Sequence, residues 1–247
     1  MSAITLLTDF GTADYFVGAM KGVILSINPK AVIADITHDI PAQDIAAGAF
    51  TVLAAYDSFP AGTIHVAVVD PGVGSERRPI VVSAGEHVFV GPDNGIFTHI
   101  YDRERSFQAF HITASQYFRQ PTSTTFQGRD IFAPIAATLS TGVEPASLGP
   151  RISDPIRLSV PDEPAIIHID HFGNLITNIT RDALPEGASL SVNGTSITTF
   201  RSFYGEQSGA DPFGIWGSAG ILEIAVNGGS AAEVLSAKRG GRIEIQP

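Results

Sequence analysis

The chain has 247 residues, 44% hydrophobic and 16% charged, with 25 acids against 15 bases for a formal charge of -10. That length suits one large domain or a medium one with a smaller companion, and the composition is too apolar for disorder and too evenly punctuated for a membrane protein. The acidic balance speaks against a nucleic-acid partner, and the absence of cysteine excludes disulfides, thiolate metal sites and a cysteine nucleophile. No apolar run reaches the roughly 20 residues that span a bilayer. Met1-Ser2 leads straight into ITLLTDF with no basic stretch or cleavage site, so a cytoplasmic protein without a membrane partner is expected.

ITLLTDF reads as a strand ending at Thr8-Asp9, and residues 14–27 carry apolar side chains at helical spacing, stopped by Asn28-Pro29. AVIADITH is a second strand, residues 43–56 an Ala-rich helix, and TIHVAVVD a third strand after the turn at 59–62. Uniformly apolar strands such as HVAVV fit burial on both faces. PIVVSA and HVFVGP follow as strands, then helices over 95–101 and 131–140. These βαβ units predict an α/β fold with an N-terminal, mostly parallel sheet flanked by helices. Pro150, Pro155, Pro161 and Pro164 crowd one segment, read as a linker, which places the domains at 1–155 and 156–247. Beyond it AIIHIDHFG, NLITNI, ASLSVNGTSITTF, GILEIAVNGG and RIEIQ, with Asn193-Gly194 as a hairpin turn, predict a smaller C-terminal antiparallel β-barrel.

Polar residues gather where strands end, which in an open α/β sheet is where ligands bind. Asp9 can accept from ribose hydroxyls, coordinate a cation, or cap the next helix, a task Asp14 can take instead. Asp70-Pro71-Gly72-Val73-Gly74 precedes Arg77 and Arg78, so a polar ligand can lie between a carboxylate and a guanidinium, although Asp-Pro-Gly is also an ordinary turn. Gly91-Pro92-Asp93-Asn94-Gly95 reads as an architectural turn with Asp93 capping. Residues 125–130 open a helix whose N–H groups can line a pocket, with Arg129 and Asp130 free to pair with each other. Phe172 and Asn174 offer what an adenine needs, a ring to stack on and an amide for the base edge. No GxGxxG, GxxxxGK, HExxH or GxSxG pattern occurs, which speaks against a phosphate loop, a metal site and a serine-hydrolase elbow.

Seven stretches in order, LLTDFG (6–11), DYFVGAMKG (14–22), VDPGVGSERR (69–78), GPDNG (91–95), TFQGRDIFAP (125–134), DHFGNLITNI (170–179) and GILEIAVNGGSAA (220–232), resemble the S-adenosylmethionine hydrolases, also called SAM hydroxide adenosyltransferases. These are relatives of the SAM-dependent chlorinases and fluorinases. The resemblance implies an α/β domain followed by a β-barrel, and a homotrimer with active sites at subunit interfaces. It implies hydrolysis of S-adenosyl-L-methionine to adenosine and L-methionine by attack of water or hydroxide at ribose C5′. S-adenosyl-L-methionine is then the substrate, and neither a metal nor a cofactor is expected.

By the same resemblance Asp70 and Arg77 hold the water, and the third position, a His in hydrolytic members, is Gln127 here. Asp9 is expected at the ribose hydroxyls, Phe172 and Asn174 at the adenine, Asp170 at the methionine ammonium and Ser218 at its carboxylate. Glu223 is counted with the substrate-binding residues, and Asn227 and Gly228 border the adenine. Halogenating relatives carry Tyr and Thr at the places of Asp70 and Arg77, and Arg where Ala219 stands, while Gly128 falls at their halide pocket. Chloride as nucleophile is therefore one alternative. A SAM- or adenosine-binding protein with turnover weakened by Gln127 is another.

Overall fold

Side-chain alternation along β1 (Ala3–Thr8) sets the layers: Ile4 and Leu6 enter one core and Leu7 the other. The structure, a computed structural model, describes residues 3–246. The chain divides into two compact units, Met1–Leu158 and Ser159–Pro247.

The first unit is built on a seven-stranded sheet of β1, β2 (Val32–Thr37), β3 (Ile64–Val68), β4 (Pro79–Ala84), β5 (His87–Pro92), β6 (Phe107–His111) and β7 (Arg151–Ile152), in the order β2-β1-β3-β5-β4-β6-β7. Ile4, Leu6, Val66 and Val68 pack on one side with Met20 and Ile24 of α1 (Phe16–Ile27) and Ile135 of α4 (Ala133–Ser140). Leu7, Ala67, Ile80 and Phe89 pack on the other with Val52 of α2 (Ile45–Ala55) and Ile100 of α3 (Thr98–Arg103). On that second side His65 is 1% exposed, with Nδ1 2.8 Å from Thr5 Oγ1 and Nε2 3.2 Å from His87 Nδ1.

The sheet is less parallel than expected. Pairs β1/β2, β1/β3 and β3/β5 are parallel, whereas β4/β5, β4/β6 and β6/β7 are antiparallel. Only Gly85 and Glu86 separate β4 from β5, and so short a link can only close a hairpin. One expected cap also differs. Tyr15, not Asp14, occupies the N-cap of α1 and makes no side-chain bond there, while Asp44 caps α2 by accepting Ala47 N–H at 2.9 Å. The proline-rich segment is tied down along its first half. Arg151 and Ile152 pair with β6, Ile156 N–H donates to Asp93 Oδ1, and Leu158 N–H to Thr98 Oγ1, both at 2.8 Å.

The second unit holds β8 (Ile166–Ile169), β9 (Leu175–Thr180), β10 (Ser189–Val192), β11 (Thr195–Ile197), β12 (Phe200–Arg201), β13 (Phe213–Trp216), β14 (Ile221–Ala225), α5 (Ala231–Val234) and β15 (Glu244–Gln246). Where one barrel was expected, the ladders form two sheets, β12-β13-β14-β9-β8 and β11-β10-β15. A two-residue β12, joined parallel to β13, ends the larger ladder at an edge. Asn193 and Gly194, at φ 50° and 82°, turn β10 into β11 as the sequence predicts. Leu175, Leu190, Leu222 and Ile224 fill the core beneath.

Candidate active site

Because β1 and β3 run parallel in register, with Thr8 beside Val68, the residues just past them, Asp9 and Asp70, lie along the same rim of the sheet. Turns at Asp70–Val73 and Gly72–Ser75 bring the chain back so that Arg77 Nε donates to Asp70 Oδ1 at 2.9 Å and Oδ2 at 3.0 Å. One terminal nitrogen of Arg77 also bonds Asp70 Oδ2 and, on its other side, Gln127 Oε1. The three residues named as catalytic from the sequence thus meet, although 50 residues separate Arg77 from Gln127.

Glycine makes that meeting possible. Gly74 sits at φ 80°, and a Cβ there would come 2.4 Å from the Thr124 carbonyl oxygen, so only glycine lets the 70–77 loop lie against the segment that carries Gln127. The Arg77 and Asp70 side chains are 9% and 4% exposed, and the guanidinium lies 5.2 Å over the Phe132 ring. Gln127 precedes a π-helical turn, Gly128–Phe132, of the kind frequent at functional sites. Beside the cluster is a pocket of about 40 Å³ lined by Phe10, Asp70, Phe126, Gln127 and Gly128 among others.

Neighbouring charges serve the fold. Arg78 donates to Asp93 at 2.8 Å and to Asp154 at 2.9 Å, so Asp93 braces an arginine and the 154–156 segment rather than capping a helix. Arg129 pairs with the buried Asp130 at 2.7 and 2.9 Å. Asp9 does not line the 40 Å³ pocket; its Oδ2 accepts Gln43 N–H at 2.8 Å.

In the second unit all seven residues singled out from the sequence, Asp170, Phe172, Asn174, Ser218, Glu223, Asn227 and Gly228, line one cleft of about 640 Å³. Asp170 Oδ1 accepts the N–H groups of Phe172 and Asn174 at 2.9 and 2.8 Å, and Oδ2 accepts Asn174 Nδ2 at 2.9 Å. Among the described residues that leaves Asn174 Oδ1 without a donor, on a residue only 5% exposed. Phe172 is 74% exposed at the cleft. Asn227 Nδ2 donates to the Gln207 carbonyl at 2.6 Å, which also makes it a brace for the loop opposite.

Tyr204, Val226 and Gly229 complete the lining and were not foreseen. Tyr204 donates its hydroxyl to Glu223 Oε2 at 3.0 Å. Burial pushes the Glu223 carboxyl up, with the Asp170 charge adding to it, and burial together with the Glu223 charge pushes the Tyr204 hydroxyl up to about 12. Gly217 gives Glu223 its place, since a Cβ on residue 217 would stand 1.8 Å from Glu223 Oε1. Among the described residues no three His, Asp or Glu side chains gather as a metal-binding group.

The comparisons agree with one another. A (R)-S-adenosyl-L-methionine hydrolase of Thermus thermophilus is 37% identical over 99% of this chain and 100% of its own. A fluorinase of an Actinoplanes species is 26% identical over 73% of this chain and 72% of its own. The crystal structure of an uncharacterized conserved protein from Thermotoga maritima superposes with a TM-score of 0.91 at 33% identity, covering 99% of this chain and 100% of that one. Residues 4–149 match the model of the SAM hydroxide adenosyltransferase N-terminal domain and residues 164–244 that of its C-terminal domain. With both halves matched, the chain belongs to the SAM hydroxide adenosyltransferase family.

Proposed function

We propose that the protein hydrolyses S-adenosyl-L-methionine to adenosine and L-methionine. The carrying observation is the Asp70–Arg77–Gln127 cluster beside a pocket large enough for a few waters and far too small for a nucleoside. Water oxygen bonds to C5′ as the C5′–S bond breaks, the bonding pair leaves with sulfur as a neutral thioether, and the surplus proton passes to Asp70 or to solvent. A sulfonium is already a good leaving group, so neither an acid nor a metal is needed, and catalysis reduces to holding the nucleophile in line. Gln127 takes no proton near neutral pH, but with its oxygen engaged by Arg77 its N–H donors remain to orient the water. Asp9 is assigned to the ribose hydroxyls, and the cleft of the second unit to adenine and the methionine end, where acids suit a cationic substrate.

A carboxylate at the small pocket repels halide, which favours water over chloride. Incubation with S-adenosyl-L-methionine, a chelator and chloride should yield adenosine and methionine in equal amounts. Absence of adenosine above background overturns the assignment, and a 5′-halogenated adenosine overturns the choice of nucleophile.

The same reading assigns a homotrimer whose active sites combine the first unit of one chain with the second unit of its neighbour. The exposure of Phe172 and Tyr204 supports it. Co-assembled Asp70→Asn and Asn174→Ala chains, each inactive alone, should then regain about a quarter of wild-type turnover, the share of sites that random mixing leaves with both halves intact. No recovery in mixed oligomers would place each site within one chain.

A further inference from the structure

Beneath Asp9 runs a chain of polar groups that the proposed reaction does not use. Thr8 is fully buried, and its Oγ1 lies 2.9 Å from Nδ1 of His38, which is 4% exposed. His38 Nε2 lies 3.1 Å from Asp35 Oδ1, and Lys21 Nζ donates to Asp35 Oδ2 at 2.6 Å. Burial raises the Asp35 carboxyl, but the bonds from Lys21 and His38 outweigh it and hold the group below its ordinary value. Thr8 Oγ1 and His38 Nδ1 are thus hydrogen-bond partners, and the other ring nitrogen faces the Asp35 carboxylate. The same hydroxyl oxygen accepts Phe10 N–H at 3.2 Å, so the Thr8 side chain is held by two partners.

His38 is also the root of the loop that grips the Thr8–Gly11 segment. Its carbonyl accepts Gly11 N–H at 2.8 Å, and five residues on, Gln43, held at φ 65°, donates its N–H to Asp9 Oδ2 at 2.8 Å. Asp9 is therefore fixed from both sides of the sequence, with one carboxylate oxygen engaged and the other making no hydrogen bond among the described residues.

We propose that His38 is a positioning residue for Asp9: its imidazole locks Thr8 and its loop presents Gln43, so that the Asp9 carboxylate stands preset for a pair of ribose hydroxyls. The inference rests on the assignment of Asp9 to the ribose. It explains why a histidine only 4% exposed stands between a threonine and an aspartate, an arrangement that resembles a nucleophilic triad but whose hydroxyl is sealed from solvent.

Calorimetric binding of adenosine tests it. His38→Ala should weaken adenosine affinity by about tenfold, the usual worth of one lost orienting hydrogen bond to a charged group's support. His38→Asn, which restores a hydrogen-bonding amide near the place of Nδ1, should recover most of that loss. In an Asp9→Asn background His38→Ala should cost no more than about twofold further, because the group it orients is gone. Should His38→Ala fail to fold, the nearly isosteric Thr8→Val carries the same expectations. Wild-type affinity in folded His38→Ala, or losses from His38→Ala and Asp9→Asn that simply multiply, would overturn the positioning role. A wild-type protein that binds no adenosine would instead remove the ribose assignment beneath it.

Discussion

Replacing Asp70 with Asn should lower adenosine formation by about 10³-fold, within the range that a positioned general base contributes. The effect should fall on kcat more than on KM, because the residue lines the small pocket proposed for the nucleophile and not the large cleft. Asn keeps the shape and one acceptor for Arg77, so the loop should hold its place. Asp70→Ala should behave differently: it leaves a guanidinium that is 9% exposed without its carboxylate, which costs about 3 kcal/mol in stability as well. Steady-state assays of adenosine with thermal melts of both variants separate chemistry from folding. An Asn variant within tenfold of wild type would show that water reaches C5′ without Asp70 as its proton acceptor.

Acid should weaken the first unit through His65. Burial among Phe59, Phe89 and Tyr56 pushes its imidazole down to about 3, with the neighbouring His87 adding to the shift. An unfolded chain takes up that proton near pH 6.5, while the folded one refuses it until about pH 3. Stability therefore falls as pH drops from about 6.5 toward 3, by up to about 1.4 kcal/mol per unit, or about 2.7 kcal/mol by pH 4.5. His87, shifted the same way by burial, steepens the slope at its upper end. His65→Gln can still bond Thr5 but binds no proton, so its melting temperature should decline less steeply over that window. Parallel curves for the two proteins would show that His65 is not a proton-linked group in unfolding.

Local pattern carried the first unit well because its strands and helices repeat with clear periods and bury both faces of the sheet. Strand direction beyond β5 was missed because the two-residue link at Gly85-Glu86 outranks any tendency of apolar strands to pair in parallel. Arg151 and Ile152 are too short a stretch to signal a strand, and Phe213–Trp216 has no polar alternation to mark it. Asp70, Arg77 and Gln127 could be named from motifs, but their junction depends on Gly74 lying on the Thr124 carbonyl, a long-range fit that no local spacing encodes. Tyr204 comes from an irregular loop and carries no motif, so only its bond to Glu223 reveals it.

The parallel half of the sheet also sorts its loops into an end that carries the candidate site and an end that does not. Asp9, Asp70 and Asp93 follow the C-terminal ends of β1, β3 and β5. The links that enter β2, β3 and β5, at residues 28–31, 60–62 and 85–86, leave from the opposite ends and have exposed tips. Loop tips of that kind tolerate insertion and new chain ends. A peptide tag, a fluorescent domain or a circularly permuted terminus belongs at Ala61, where it extends the molecule away from the rim that carries Asp9 and Asp70.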